Sequence, residues 1–176
     1  MDKRVVRKDV REALAAISPE EKTQKSTMLA LALLVHPAVR NARVVALFSP
    51  LPDEPQIGEI IELLSHGRIV LLPRVEGDVM RFYTFSPKAM YKGSYGILEP
   101  MCGNPFPPAE IDVIIVPGVA FTADGARMGR GKGFYDKYMS QEGFNAHKIG
   151  VCYSEQVVQS LPCERHDVFM DEVVYK

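Results

Sequence analysis

A short segment of the chain combines glycines and basic side chains in a pattern suited to binding phosphate. Within residues 124–136, the alternate glycines Gly129, Gly131 and Gly133 are interspersed with three cations, Arg127, Arg130 and Lys132. Glycines at alternate positions let backbone N–H groups turn toward an anion, because no Cβ stands in the way. The cations add formal charge, and a helix that begins directly after the segment adds the positive end of its dipole. These features predict a polyphosphate-binding loop.

The segment differs from the two standard nucleotide-binding motifs. No G-x-x-x-x-G-K-[ST] pattern can be placed on it, and Phe134 prevents a strict G-x-G-x-x-G match. Neither motif therefore applies, and a tight, solvated glycine turn remains the alternative interpretation.

A carboxylate follows the glycines at a position suited to a metal ion. Asp136 comes shortly after Gly133, and Mg²⁺ usually binds through one or two carboxylates together with substrate phosphates. Asp136 is therefore a candidate magnesium ligand. The alternative is a solvated residue in the first turn of a helix, or a partner for Lys137. Asp171, near the C-terminus, carries the same ambiguity.

Length and charge balance restrict the class of protein. The chain has 176 residues, of which 47% are hydrophobic and 24% charged, and its formal net charge is -1. This composition suits one domain with its own core, so residues 1–176 are expected to form a single domain. Because a nearly neutral protein has no global field for polyanions, nucleic acid is disfavoured as the main partner, and phosphate must be held by a local cluster of basic groups.

The cysteines and the lengths of the apolar runs indicate the cellular compartment. Cys102, Cys152 and Cys163 are odd in number and form no C-x-x-C pair, which argues against a disulfide framework and a structural zinc site. No apolar run reaches the roughly 20 residues that a membrane span needs, and the N-terminal residues are highly charged. We therefore expect a cytoplasmic protein with no membrane partner.

Two helices are predicted before the first strand. Apolar residues recur every three or four positions over residues 3–17, which is the period of an amphipathic helix. Ser18 then offers an N-cap, Pro19 a first helical residue and Glu21 the glutamate of a capping box. A second helix should run from there to about Val35, where a His-Pro pair ends it.

The rest of the chain alternates strands and helices. Strands are predicted at residues 43–48, 69–72, 111–116 and 148–153, helices at residues 57–64 and 134–141, and an edge strand at residues 80–85. Pro73 is expected to stop the second strand. The strand at 111–116 is so apolar that it should be central, with both faces covered. The pattern predicts an α/β fold, a Rossmann-like open and mostly parallel sheet flanked by helices, with the site at the carboxyl end of the central strand.

Residues 117–139, PGVAFTADGARMGRGKGFYDKYM, resemble the signature of the 5-formyltetrahydrofolate cyclo-ligase family. Further matching positions lie along the chain: a K-x-x-x-R pattern at Lys3 and Arg7, Asp53 with Glu54, the GILEP run at residues 96–100, Leu161 with Pro162, His166 with Asp167, and Asp171. The resemblance therefore covers essentially the whole chain.

This resemblance implies one α/β domain that binds ATP with Mg²⁺ and a reduced folate in adjoining parts of one cleft, with no other cofactor. In the family's reaction, the formyl oxygen of 5-formyltetrahydrofolate attacks the γ-phosphate of ATP, and N10 then closes the ring with loss of phosphate. The products are 5,10-methenyltetrahydrofolate, ADP and phosphate. Because the substrate itself attacks phosphorus, the chemistry requires positioning and charge neutralisation more than a protein nucleophile.

The resemblance also implies roles for individual residues. The ATP-binding candidates are Lys3, Arg7, Arg127, Met128, Gly129, Arg130, Gly131, Lys132, Gly133, Phe134 and Tyr135. The catalytic candidates among them are Arg130 and Lys132. The substrate-binding candidates are Phe48, Glu54 and Tyr135, and the magnesium ligands are Asp136 and Asp171. A carboxylate such as Glu54 can pair with the N–H groups of a pterin ring.

Several of these roles have plainer alternatives. Lys3 and Arg7 also fit a solvated basic helix face, and Glu54 an exposed loop acid. Phe48 and Met90, either of which could cover the folate, also fit ordinary core. Many relatives carry tyrosine where this chain has Phe134, so a hydroxyl is missing there. Spacing alone selects no histidine as a general acid or base.

Two other functions fit the same glycine loop. One is a nucleotide-binding or regulatory domain that has lost turnover, and the other is a phosphoryl-transfer enzyme acting on a different acyl or amide substrate. The favoured interpretation is an enzyme whose partners are two small molecules, the reduced folate and ATP. It is expected to act as a monomer or weak homo-oligomer.

Overall fold

The computed structural model describes residues 2–93, 95–101 and 103–176, so Cys102 lies outside the described residues. The helices are α1 (Lys3–Ala15), α2 (Pro19–Val35), α3 (Pro37–Asn41), α4 (Gly58–Ser65) and α5 (Phe134–Met139). The strands are β1 (Val44–Ala46), β2 (Ile69–Glu76), β3 (Val79–Thr84), β4 (Met90–Lys92), β5 (Leu98–Pro100), β6 (Val113–Val116), β7 (Ala120–Phe121), β8 (Arg127–Met128), β9 (His147–Cys152) and β10 (Glu172–Tyr175). Short 3-10 helices lie at Pro108–Glu110 and Ser154–Gln156.

A six-stranded sheet organises the molecule, with strand order β10-β9-β6-β1-β2-β3. The strands from β10 to β2 are parallel to their neighbours, and β3 runs antiparallel to β2 at the edge. Ala46 of β1 pairs with Leu71 of β2 on one side and with Ile114 of β6 on the other. This arrangement confirms the predicted α/β class, the mostly parallel sheet and the added edge strand.

Apolar residues cover both faces of the sheet, which explains the unbroken apolar run of β6. Val113 and Ile115 pack into a cluster with buried residues of α1, α2 and α4, whereas Ile114 and Val116 pack on the other face with α5. A strand buried on both faces has no position where a polar side chain would meet water. The predicted central position of this strand is confirmed.

Local capping explains where the first two helices begin. The Asp2 carboxylate accepts a hydrogen bond from the Arg4 N–H at 2.8 Å, and the Ser18 hydroxyl accepts one from the Glu21 N–H at 3.1 Å. Each contact satisfies an N–H group that the helix leaves without an internal partner. The predicted second helix, from Pro19 to Val35, is confirmed.

The prediction that Pro73 ends its strand is wrong, because β2 continues through it to Glu76. Pro73 lies opposite Phe82 of β3, whose carbonyl points away from β2 and accepts from the Phe106 N–H at 2.8 Å. The Pro73–Phe82 pair is thus one that exchanges no hydrogen bonds. On the other side, the pairing with β1 ends at Leu71. A residue without an N–H therefore costs the sheet no ladder bond.

Short elements that periodicity did not predict complete the fold. They are α3, the β4–β5 and β7–β8 hairpins, and β10, which pairs in parallel with β9 over its four residues. Segments this short contain too few residues to show a helical or strand period, so tertiary pairing decides their conformation. Across residues 2–93, 95–101 and 103–176, no helix is long and apolar enough to cross a membrane.

Candidate active site

The strand order creates a switch point between β1 and β6, and a cavity lies there. From β1 the chain moves to β2 on one side, and it later returns to β6 on the other. In open α/β sheets, ligands bind beyond the carboxyl ends of the strands at such a point. A cavity of about 490 Å³ is lined by Phe48 and Ser49 after β1 and by Pro117 and Gly118 after β6.

The candidates for binding ATP and folate, scattered in sequence, come together around this cavity. Its lining includes Lys3, Arg7, Phe48, Glu54, Arg127, Met128, Gly129, Arg130, Gly131, Lys132, Gly133, Phe134, Tyr135 and Asp136. The amino-terminal helix, the loop after β1 and the glycine segment therefore form one site. The binding roles of these residues remain predictions.

Arg127 is a buried cation in the cavity lining, with its side chain only 5% exposed. Its Nε donates a hydrogen bond to the Pro117 carbonyl at 2.9 Å, and its Nη1 lies 3.4 Å from Oδ2 of Asp136. The guanidinium also lies over the Tyr135 ring, 5.0 Å from the centroid. Burial lowers the pKa of Arg127, and the nearby Asp136 carboxylate opposes that shift. The site thus keeps one positive charge away from bulk water.

Helix α1 brings two more cations to the same cavity. The Arg7 guanidinium donates to the Gly129 carbonyl at 3.2 and 3.3 Å. The Lys3 ammonium lies 2.7 Å from Glu164 and 3.5 Å from Asp167. Because Val6, Val10 and Leu14 are buried on the same helix, the apolar face of α1 sets the position of both cations.

The glycine loop needs glycine for conformation as well as for access. Gly131 and Gly133 have φ values of 99° and 68°, in the left-handed region that other residues rarely adopt. A Cβ on Gly129 would lie 3.1 Å from Nη2 of Arg127. Backbone and guanidinium therefore approach each other closely here. Lys132, between the two left-handed glycines, is exposed and lines the cavity.

Arg130 joins the glycine loop to the loop after β1. Its Nη2 lies 2.6 Å from Asp53 and 3.2 Å from Oε1 of Glu54. Glu54 is only 6% exposed, and its Oε2 accepts a hydrogen bond from the Leu51 N–H at 3.0 Å. Burial raises the pKa of Glu54, while the Leu51 hydrogen bond and Arg130 act in the opposite direction. The alternative of an exposed loop acid does not fit this environment.

The structure separates the two carboxylates predicted as magnesium ligands. Asp136 lines the cavity, and its Oδ1 accepts from the Val168 N–H at 3.1 Å. Asp171 instead accepts from the Lys148 N–H at 2.7 Å and lies 2.9 Å from the Lys148 ammonium. Lys148 is near the amino end of β9, whereas the cavity lies beyond the carboxyl ends of the strands. Of the two carboxylates, Asp136 borders the cavity and Asp171 does not, and magnesium binding by either residue remains a prediction.

Aromatic residues form part of the apolar lining. Phe48 is 2% exposed and belongs to the core cluster, which confirms the core interpretation. It also borders the cavity, and its contact with folate remains a prediction. Burial strongly raises the pKa of the Tyr135 phenol, which therefore stays protonated and can donate a hydrogen bond. Met90 lines a second, neighbouring cavity of about 890 Å³.

Several lining residues had no role in the sequence prediction. Glu99, Glu164, His166 and Asp167 border the cavity. Glu99 lies within the GILEP run, and His166 with Asp167 is another matching position of the family resemblance. The resemblance therefore included these residues but assigned them no role. Across the described ranges, no group of three or more His, Cys, Asp or Glu side chains is arranged to hold a metal ion. A metal here would need ligands from a bound substrate.

Comparison with known proteins shows which family this chain resembles. The profile of the 5-formyltetrahydrofolate cyclo-ligase family matches residues 1–176. The 5-formyltetrahydrofolate cyclo-ligase of Mus musculus is 29% identical, with 99% of this chain and 93% of the relative covered. The enzyme of that name from Mycolicibacterium smegmatis is 33% identical over 76% of this chain and 74% of its own length.

Solved structures show the same fold along the whole chain. The NMR structure of the Aquifex aeolicus 5,10-methenyltetrahydrofolate synthetase superimposes with a TM-score of 0.89 at 34% identity, covering 99% of this chain and 90% of that one. The Mycoplasma pneumoniae 5,10-methenyltetrahydrofolate synthetase gives a TM-score of 0.76 at 27% identity, with 98% of each chain covered. Because the family profile matches residues 1–176 and these relatives are similar over most of their length, the chain belongs to the 5-formyltetrahydrofolate cyclo-ligase family.

Proposed function

We propose that this protein converts 5-formyltetrahydrofolate and ATP to 5,10-methenyltetrahydrofolate, ADP and phosphate in a Mg²⁺-dependent reaction. The proposal rests on one observation: a phosphate-binding type of loop and a buried carboxylate line the same cavity. A cationic glycine loop, suited to polyphosphate, contacts a buried carboxylate, suited to N–H donors, through the single side chain of Arg130. An enzyme that transfers phosphate between a nucleotide and a pterin needs both.

ATP is assigned to the half of the cavity that contains the glycines. Gly131 and Gly133 leave the backbone free to face phosphate oxygens, and Arg7 and Arg127 lie beside the same loop. Lys3 approaches from the first turn of α1. Since the protein is nearly neutral overall, this local group of cations is what would attract and hold the triphosphate.

Asp136 suits the role of a magnesium ligand that acts together with the phosphates of ATP. Its carboxylate borders the cavity and lies among the cations, with Arg127 as its protein partner. A single protein carboxylate is enough for Mg²⁺ when phosphate oxygens and water complete the coordination shell. When bound, the ion would neutralise charge on the phosphates and orient them.

The folate is assigned to the half of the cavity beyond Arg130. Glu54 would accept hydrogen bonds from N–H groups of the pterin, Phe48 would cover a face of the ring, and Tyr135 would donate from its protonated hydroxyl. Excluding water from this side protects a phosphorylated intermediate from hydrolysis. Both substrates would then meet at Arg130 and Lys132.

The reaction needs little from the protein except orientation and charge. The formyl oxygen forms a bond to the γ-phosphorus as the bond to ADP breaks, which leaves a phosphorylated iminium group. N10 then attacks the former formyl carbon, and phosphate leaves as N10 loses its proton. Arg130 and Lys132 would stabilise negative charge on the transferred group, as cations do in other phosphoryl transfers.

The domain organisation, oligomeric state, compartment and partners are proposed from the sequence. Residues 1–176 would act as a single domain, as a monomer or weak homo-oligomer in the cytoplasm. The partners would be the two small-molecule substrates.

The proposal is tested by following the absorbance of the methenyl product. Purified protein is mixed with 5-formyltetrahydrofolate, ATP and Mg²⁺, and each component is omitted in turn. A rise in absorbance that requires all three supports the proposal. Folded protein that binds ATP but gives no rise would indicate a non-catalytic domain or another acyl substrate.

A further inference from the structure

A second buried carboxylate lines the same cavity. Glu99, in β5, is 2% exposed and borders the cavity. Its Oε2 accepts a hydrogen bond from the Tyr91 hydroxyl at 2.8 Å. Within residues 2–93, 95–101 and 103–176, no Lys, Arg or His forms an ion pair with it. Burying a carboxylate is costly unless donors compensate it.

The backbone beside Glu99 is shaped to receive its carboxyl group. A Cβ on Gly93 would lie 2.3 Å from the Glu99 Cδ and 2.4 Å from its Oε2. No side chain larger than hydrogen fits at Gly93 without moving the carboxylate. Arg74 adds support from β2, because its Nη1 donates to the Pro100 carbonyl at 3.3 Å. The carboxylate is therefore held in a defined place on the cavity wall.

The two buried carboxylates of the cavity differ in how much of their hydrogen-bonding capacity is already used. The oxygens of Glu54 contact the Leu51 N–H and the Arg130 guanidinium, which links Glu54 to the glycine loop. Glu99 contacts a neutral hydroxyl and lies on a wall with Val75, Tyr95 and Ile97. A carboxylate in such a place would repel phosphate and favour a neutral ring that presents N–H donors.

We propose that Glu99 is a specificity-determining residue of the folate site, which accepts hydrogen bonds from the N3–H and the 2-amino group of the pteridine. This inference rests on the proposed function. The two donors lie side by side on the pteridine, an arrangement that matches the two oxygens of one carboxylate. Adenine presents a single amino donor beside ring-nitrogen acceptors, which does not match two carboxylate oxygens, and the phosphates of ATP would be repelled. The assignment therefore concerns the folate alone. Glu54 then serves the part of the folate nearer the phosphoryl transfer.

The first test compares two ligands on the unaltered protein. Binding of 5-formyltetrahydrofolate is measured against an analogue in which a methyl group replaces the 2-amino group. Because a hydrogen bond to a charged group contributes about 1.5–3 kcal/mol, the analogue should bind about 10- to 100-fold more weakly. Equal affinity for the two ligands would overturn the assignment without any mutation.

The second test asks whether Glu99 causes that discrimination. Glu99→Gln keeps the volume of the side chain but turns one acceptor into a donor, so it should lower folate affinity about 10- to 100-fold and reduce the preference for the 2-amino ligand. ATP affinity should stay unchanged. Gly93→Ala should act in the same direction, because its methyl group displaces the carboxylate. The matched control is Glu142→Gln, an exposed glutamate in a turn.

The outcomes separate this inference from the proposed function. If the unaltered protein forms the methenyl product and Glu99→Gln retains the full ligand preference, the role of Glu99 is wrong and the proposed function stands. If the unaltered protein neither binds the folate nor forms product, the proposed function fails and the inference fails with it. Melting temperature and ATP affinity identify any variant that has lost its fold.

Discussion

Arg130 and Glu54 form the contact on which the two halves of the cavity depend. The Arg130 guanidinium lies 3.2 Å from Glu54 and 2.6 Å from Asp53, so it reaches from the glycine loop to the loop after β1. Glu54 is buried, and its burial raises its pKa against the opposing effects of the Leu51 N–H and Arg130. If Arg130 turns to phosphate when ATP binds, Glu54 needs new donors. A pterin would supply them.

Replacing Glu54 tests its role in folate binding. Glu54→Ala removes the acceptor for pterin N–H groups and should raise the KM for 5-formyltetrahydrofolate about 10- to 100-fold. The affinity for ATP should change little, because the glycine loop and its cations remain. Steady-state kinetics with each substrate varied in turn, together with calorimetric binding of ATP, measure the two effects.

Asp53 provides the matched control for Glu54. It pairs with the same guanidinium, but its side chain is 56% exposed, and an exposed ion pair contributes little. Asp53→Ala should therefore leave the folate KM close to that of the unaltered protein. Equal loss of ATP and folate affinity in Glu54→Ala would contradict the assigned role.

Asp136 is the residue on which the magnesium requirement should depend. Asp136→Asn removes a charged oxygen ligand, so the variant should need about tenfold more Mg²⁺ to reach half of its maximal rate. The measurement is a titration of rate with Mg²⁺ at saturating ATP and folate. Asp9→Asn, an exposed position on α1, serves as the control. A Mg²⁺ dependence that matches the unaltered protein would remove Asp136 from the ligand set.

At the scale of elements, the glycine loop should depend on its left-handed backbone. Gly133 has φ of 68° at the start of α5, and Gly77 has φ of 66° in the turn between β2 and β3. This conformation is disfavoured for alanine by about 1–2 kcal/mol at either position, and the backbone can relieve that strain by moving. Gly133→Ala and Gly77→Ala should therefore be destabilised by similar amounts in urea unfolding.

ATP binding distinguishes these two variants. Gly133→Ala should lose at least about tenfold in ATP affinity, because the backbone N–H groups of the loop shift away from the phosphates. Gly77→Ala should bind ATP as the unaltered protein does, since its turn is separate from the cavity lining. Parallel loss of ATP affinity in both variants would indicate a general effect of stability rather than a phosphate cradle.

The β2–β3 hairpin carries a charge cluster whose contribution to stability depends on pH. Hydrogen bonds from the Tyr83 hydroxyl and from Arg74, with Arg81 also in contact, lower the pKa of Glu76 from 4.5 to about 2. A carboxylate with a depressed pKa stabilises the fold above its unfolded pKa, and that contribution is lost as pH falls through the folded value. The relevant window therefore extends from about 4.5 down to about 2.

Glu76→Gln tests this linkage. The variant should be less stable than the unaltered protein at neutral pH, and the difference should shrink as pH falls from about 4.5 toward about 2. Urea unfolding at a series of pH values measures it. A difference in the free energy of unfolding that stays constant over this range would show that Glu76 contributes through packing rather than charge.

For the molecule as a whole, the features predictable from sequence are those with a local or periodic cause. The cap at Ser18 explains the second helix, and the unbroken apolar run of β6 explains its central place. The glycine loop could be identified because its chemistry lies within one short segment. The matching positions of the family resemblance then indicated which distant residues meet it.

The features that could not be predicted depend on contacts between distant parts of the chain. Pro73 continues β2 because of where Phe82 and β1 lie, which its own neighbours in sequence do not reveal. Asp171 forms an ion pair with Lys148 at the amino end of β9, and Glu99 is buried within the β4–β5 hairpin. Burial and ion pairing of a side chain are decided by tertiary packing, so spacing alone could not assign these residues.

In the proposed reaction, the formyl oxygen of the folate attacks the γ-phosphate of ATP within this one cavity. The most direct measurement uses 5-formyltetrahydrofolate labelled with oxygen-18 in the formyl group, followed by mass spectrometry of the phosphate released during turnover. Because that oxygen forms the new bond to phosphorus and leaves with it, we predict that the label appears in phosphate in proportion to the methenyl product. Unlabelled phosphate accompanying methenyl formation would contradict attack by the formyl oxygen.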